Sequence, residues 1–205
     1  MGLTRQGILI TALALADRDG IEGLTIRRLA AELGVSPMAV YRHVANKQAI
    51  LDGLLDVAIS ADLELPPAGE PRAWLRDAFV AIHRTLRVHP TILPLLGSAG
   101  SLGPGALGVA EAVFAALLEL GLAPDEAVGA FHRLITMTIG SVTLESAAAG
   151  DPSEDLAERA RQLGAMVQTL PLARYPSLVE HAPLLVRFVR PVTYADNLER
   201  LLGDL

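Results

Sequence analysis

Ile8, Leu9, Ala12, Leu13, Leu15 and Ala16 recur at the spacing of one helix face and predict a first helix from Thr4 to Asp19, ended by Gly20. Thr25 offers an N-cap to a second helix, whose inward stripe is Ile26, Leu29, Ala30 and Leu33. Gly34 stands just past its end, where a left-handed residue is wanted. Ser36 caps a third, short helix that runs to His43 or Val44, with Pro37 at its first position, where a missing N–H costs nothing. Asn46 caps a fourth, longer helix with Ile50, Leu51, Leu54, Leu55 and Ala58 on its apolar side. Leu65 to Pro71 (LPPAGEP) reads as a linker. Helices are expected beyond it near 71–88, 104–121, 124–148, 152–169, 175–188 and 191–204, punctuated by Pro90, Pro94, Gly97–Gly105, Gly121–Pro124, Gly150–Pro152 and Pro171. No strand-length alternation and no internal repeat is found, so the fold class is all-α.

The segment Leu24 to His43, LTIRRLAAELGVSPMAVYRH, has the spacing of a helix-turn-helix. Steep crossing of two short helices needs a small residue in the first, Ala30, and a residue tolerant of positive φ four positions later, Gly34. Val35 and Val40 anchor the turn and the third helix, leaving the start of that helix free to enter a major groove. An ordinary helical hairpin has the same A-x-x-x-G spacing, but would carry a longer, more amphipathic second helix.

Composition sharpens this picture. Hydrophobic residues make up 51% of the chain but aromatics only 4%, so the core is built from Leu, Ala, Val and Ile, a mixture that favours helix. A mean hydropathy of +0.40 points to apolar surface held in a subunit interface, a ligand cavity or both. The net charge of −6 divides unevenly. Residues 1–50 carry Arg5, Arg18, Arg27, Arg28, Arg42 and Lys47 against Asp17, Asp19, Glu22 and Glu32, a net +2, leaving −8 on the remainder. A basic head on an acidic body suits nucleic-acid binding. The longest uncharged run, Val88 to Ala110, holds five glycines and three prolines, so no stretch is expected to span a membrane. Arg5 followed by the apolar Gly7 to Ala16 imitates a signal peptide, but the following helices need this segment as a packing partner, and the protein is expected to be cytoplasmic.

At the same residues the chain resembles the DNA-binding domain of TetR-type repressors, over IEGLTIRRLAAELGVSPMAVYRHVANKQAILDGLLD, Ile21 to Asp56. The resemblance includes the Thr that opens the second helix, the A-x-x-x-G turn, Tyr-x-His at the end of the third helix and Asn-Lys at the start of the fourth. It implies a helix-turn-helix domain at 1–46 and a helical-bundle ligand-binding and dimerisation domain at 47–205, with 47–62 a connecting helix. It also implies binding to double-stranded operator DNA as a homodimer, release by a small-molecule inducer, and repression of transcription.

Roles follow residue by residue. Arg27 points outward to the groove or backbone, and Thr25 offers a hydroxyl or N–H to a phosphate. Tyr41 resembles the family's phosphate-binding tyrosine, or packs the third helix half-buried. His43 resembles a phosphate or groove contact, or caps its helix. Lys47 resembles the family's phosphate clamp. Base reading falls to Ser36, Pro37, Met38, Ala39 and Arg42. Pro37, Met38 and Ala39 suit thymine methyls, and Arg42 suits a guanine or a phosphate. Arg42 departs from relatives that carry glutamine or threonine at this position.

In the body, residues 124–148 carry the small residues Gly129, Ala130, Gly140 and Ser141, and the last helix carries a stripe of Tyr194, Leu198, Leu201, Leu202 and Leu205. The resemblance implies that both helices pair with their symmetry mates; burial within one subunit is the alternative. Phe79, Ile82, His83, Leu86, Phe114, Leu117, His132, Ile135 and Thr136 are candidates to line a ligand cavity, or are plain core. Where tetracycline-responsive relatives supply an amide to the drug and a histidine to its magnesium, this chain has Ala78 and Leu96. A largely apolar ligand is therefore expected. His83, His89, His132 and His181 show no metal-ligand spacing, so neither metal nor cofactor is expected.

With no cysteine, G-x-S-x-G, H-E-x-x-H or phosphate loop, an enzyme is not expected. A small helical enzyme, or a ligand-binding protein without DNA binding, is the alternative reading; neither explains the exposed third helix on a basic head.

Overall fold

The computed structural model describes residues 2–96, 102–148, 156–184 and 194–205. The chain divides into two compact units, residues 1–143 with Leu205, and residues 144–204.

The first unit opens with α1 (Arg5–Gly23), α2 (Ile26–Glu32), α3 (Pro37–Tyr41) and α4 (Lys47–Asp62). Each begins at a short polar side chain that accepts a backbone N–H three residues on: Thr4 from Gly7, Thr25 from Arg28, Ser36 from Ala39 and Asn46 from Ala49. The helical path of α1 breaks at Gly20, φ 76°, which lets helical residues resume up to Gly23. The third helix stops at Tyr41, earlier than expected; His43 and Val44 instead return their N–H groups to the Val40 carbonyl in a closing turn. Ile8, Leu9, Ala12, Leu13, Leu15 and Ala16 of α1 are buried, and α1 packs on α4, which buries Ile50, Leu54, Leu55, Val57 and Ala58. Gly53 permits that approach: a Cβ there would lie 2.8 Å from Leu9 Cδ1. The helix-turn-helix thus shares its core with α4.

The linker is tied back by the Trp74 indole, which donates to the Pro66 carbonyl at 3.0 Å. α5 (Pro71–Val88) follows, capped by Glu70, whose carboxylate accepts from Arg72 and Ala73 and is held below its ordinary range by those bonds. A 3-10 turn (Pro90–Ile92) and α6 (Leu93–Leu96) occupy a stretch that the sequence marked only by its prolines. α7 (Pro104–Glu119) packs on α4 and α5, and α8 (Pro124–Ala148) runs on into the second unit. Against expectation, Pro124–Ser146 has the length and apolar content of a membrane-crossing helix, with a mean hydropathy of 1.2. Only 28% of its most apolar window is buried, and Val128 and Leu144 are 59% and 67% exposed, which leaves a wide open face.

The second unit holds α9 (Leu156–Gln168), α10 (Pro176–Glu180) and α11 (Tyr194–Gly203). The expected ends of these helices at 152–155, 185–188 and 191–193 lie outside the described residues. Of the expected α11 stripe, Tyr194, Leu198 and Leu202 are buried inside a single chain, at 7%, 0% and 1% exposure, while Leu201 and Leu205 are half-buried. An apolar stripe calls for cover, and here the subunit itself supplies it.

Candidate nucleic-acid interface

The turn between α2 and α3 has the hydrogen bonds of a Schellman motif. The Val35 N–H donates to the Ala30 carbonyl at 2.9 Å and the Gly34 N–H to Ala31 at 3.1 Å, with Gly34 at φ 66°. Val40 is fully buried and fixes α3 from below, which pushes the opposite side into solvent. Ser36, Pro37, Met38, Tyr41, Arg42 and His43 are exposed there, Met38 by 68% and Tyr41 by 46%, and Ala39 is half-buried. The sequence-derived reading residues therefore share one short, projecting element. Thr25 is exposed and its oxygen is occupied as a cap acceptor, which leaves its O–H to donate.

The head's cations fall into two groups. Arg18 spans to Glu32 with two bonds of 3.3 Å, and this pairing holds the Glu32 carboxyl below its ordinary range. Arg28 donates to Asp19 at 2.5 Å and to the Gly23 carbonyl at 3.1 Å. Lys47 is half-buried, and its ammonium donates to the Ile21 carbonyl at 2.8 Å, fastening the α1–α2 corner to α4. Arg27 and Arg42 are exposed and make no ion pair or hydrogen bond through their guanidinium groups among the described residues. One guanidinium stands on α2 and the other at the end of α3, with their donor sets available to phosphate or base edges.

The candidate cavity residues separate. On α5, Phe79, Ile82, His83 and Leu86 are buried, as is Leu117 on α7; Phe114 and Ile135 are half-buried. α5 and α7 pack on each other, which brings the first of these into one layer. His132 and Thr136 are exposed on α8 and stand apart from that layer. Ala78 is wholly buried.

Sequence reading missed two polar junctions between the head and the helices behind it. Asp56 of α4 accepts the Ala106 N–H at 3.1 Å and so caps α7, whose own N-cap, Gly103, has no side chain to do so. A Cβ on Gly103 would lie 1.7 Å from Asp56 Oδ2, so the pair Gly103 and Gly105 was the available signal for a close approach. At the second junction His89 joins Asp17 of α1 to Asp62 of α4, 72 and 27 residues away, for which the sequence holds no local signal.

Comparison with known proteins finds relatives for this chain. The first curated relatives are an HTH-type transcriptional regulator of Saccharopolyspora erythraea, 36% identical over 147 residues, and the HTH-type transcriptional repressor DrrR1 of Streptomyces coeruleorubidus, 36% identical over 143. The matches cover 70% and 68% of this chain, which spans 61% and 52% of those relatives. The class A tetracycline repressor of transposon 1721 from Escherichia coli is 31% identical over 157 residues, 72% of this chain and 69% of the repressor. Among solved structures, the Streptomyces coelicolor TetR family protein ActR in complex with actinorhodin aligns with a TM-score of 0.82 at 24% identity, over 100% of this chain and 97% of that one. The helix-turn-helix segment, residues 8–54, matches the family described as bacterial regulatory proteins, tetR family, and residues 65–189 match its tetracyclin repressor-like C-terminal domain. The chain belongs to the tetR family of bacterial regulatory proteins.

Proposed function

We propose that this protein is a cytoplasmic transcriptional repressor that binds a palindromic operator as a homodimer and is released by a small, largely apolar molecule. The observation that carries the reading is the exposure of Met38 and Tyr41 on a helix whose other side is pinned by fully buried Val40, with Arg27 and Arg42 exposed and without an ion pair among the described residues. Apolar and short side chains at Pro37, Met38 and Ala39 suit thymine methyls, and Arg42 suits a guanine or a phosphate. Thr25, Arg27, Tyr41 and His43 hold the register on the backbone. Lys47 keeps ammonium protons beyond the one given to Ile21, and a phosphate contact is secondary to that tie.

Dimerisation is assigned to α8. Val128, His132, Thr136 and Gly140 follow one another at four-residue spacing and are all exposed, with Thr143 continuing the row. Small residues there allow a partner helix close, and a two-fold protein matches a two-fold operator. His132 and Thr136 therefore serve the interface better than the cavity. The ligand is assigned to the α5–α7 layer, where Phe79, Ile82, His83, Leu86, Phe114 and Leu117 offer mostly hydrocarbon, with half-buried Ile135 of α8 a further candidate. ActR, similar in fold, has been solved with actinorhodin and with (S)-DNPA, which supports a small-molecule ligand for this body.

Selection of duplexes from a random pool tests the reading. A palindrome should emerge, bound with a steep salt dependence, and Met38 variants should recover different base preferences. Recovery of no duplex above a scrambled control would reject the DNA-binding role.

A further inference from the structure

His89 follows directly on α5 and is 8% exposed. Its Nδ1 lies 2.6 Å from Asp17 Oδ2 on α1, and its Nε2 lies 2.6 Å from Asp62 Oδ2 at the end of α4. The other Asp17 oxygen accepts the Thr91 hydroxyl at 2.5 Å, and the Thr85 hydroxyl donates to the Asp62 carbonyl at 3.2 Å. One ring thus joins the helix that opens the DNA-binding head, the helix that connects it, and the end of α5 in the body.

The chemistry of that ring is constrained. An ionised carboxylate is an acceptor only, and a neutral imidazole has a single N–H. Two carboxylates on opposite ring nitrogens are both satisfied only by the imidazolium. A neutral ring would face one of them lone pair to lone pair. The carboxylates lie on opposite sides of the ring and do not converge on a point that a metal ion would occupy. The charged groups acting on the ring are Asp17 from α1 and Asp62 from α4; from its own segment the Thr91 hydroxyl donates to the Asp17 carboxylate and the Thr85 hydroxyl to the Asp62 backbone carbonyl.

We infer that protonated His89 is a positioning residue that sets the head on the body in its DNA-gripping arrangement, so that operator affinity depends on the proton it carries. The inference rests on the DNA-binding reading above. Burial opposes the charge on the ring, but the bonds and charges of Asp62 and Asp17 outweigh it, and the net shift is upward from the ordinary imidazole value. A histidine raised on folding contributes its stabilisation in full below about pH 6.5 and loses it as pH rises through the folded value. Affinity should therefore fall as pH rises above the ordinary imidazole value.

The test uses the full chain. Ring-nitrogen NMR without DNA should show both His89 nitrogens protonated at about pH 6.5, with a titration above the ordinary imidazole value. Binding to the duplex selected from the random pool should weaken at least about fivefold as pH passes through that titration. H89Q should hold the weaker plateau at every pH. The double variant D17N/D62N should bring the His89 titration down and move the affinity step with it, which a merely structural role would not do. A His89 ring that is neutral at about pH 6.5 would overturn the inference. So would an affinity step that survives in H89Q or stays in place in D17N/D62N. A protonated ring with flat affinity would overturn the positioning role while leaving DNA binding intact. Recovery of no duplex would instead count against DNA binding, and the ring's protonation would still be decided by NMR.

Discussion

Lys47 and Arg27 look alike in sequence, two cations in a basic head, but their surroundings give them different work. Arg27→Ala and Arg42→Ala should each weaken duplex binding and lower the slope of log affinity against log salt by about one, read by fluorescence anisotropy over a salt series. Lys47→Ala should act chiefly on stability, because the Ile21 carbonyl loses a charged donor at a half-buried corner. A loss on the order of 1–3 kcal/mol is expected in chemical denaturation. An unchanged denaturation midpoint with a reduced salt slope would return Lys47 to the phosphate. Gly34→Ala isolates backbone strain: a Cβ there meets nothing within 4 Å, yet φ is +66°. It should cost roughly 1–2 kcal/mol through conformation alone.

At the scale of elements, α4 is gripped at several points along its length: Lys47 on Ile21, Asp56 on the start of α7, and Asp62 on His89. Gly103→Ala should dislodge Asp56, since the added Cβ would fall on its carboxylate. Asp56→Asn weakens the same cap without adding bulk. In both variants amide exchange should speed up at Ala106 and the first turn of α7 while α2 and α3 keep their protection. Equal protection throughout would show that α7 needs no cap from α4. α8 presents the other element-scale question. Val128→Glu with Thr136→Glu places like charges where two copies of the helix would meet, and sedimentation should find folded monomers with weakened duplex binding. Leu198 and Leu202 are unsuited to that test, because glutamates there would disrupt the interior of one subunit.

For the whole molecule, the proposed ligand and the DNA are linked through one equilibrium. A ligand that lowers duplex affinity by some factor must itself bind more weakly to the duplex-bound protein by that same factor. Lipophilic compounds that raise the melting temperature should do so equally with and without EDTA, given hydrocarbon walls and His83 as the polar group within the α5–α7 layer. Stabilisation that vanished on chelation would reject a metal-free cavity, and ligands that left DNA binding unchanged would reject the inducer role.

The fold was legible to the extent that its causes are local. Thr25, Ser36 and Asn46 cap their helices as their residue types require, since a cap involves only residues two or three apart. α5 and α8 begin and end where the apolar period and the flanking prolines and glycines placed them. Gly34 could be read as left-handed because the alternative to glycine is strain. The projecting reading helix followed from these same signals. What sequence alone left open was direction and partnership. Whether the α11 stripe covers its own subunit or a second one, whether His132 and Thr136 turn inward or outward, and whether Lys47 meets a phosphate or a carbonyl all depend on which surface arrives opposite. That is set by packing between distant segments. The His89 junction is the extreme case: an imidazole and two aspartates are unremarkable along the chain, and become an ion bridge only because the packing of α1 on α4 leaves both carboxylates within 2.6 Å of one ring.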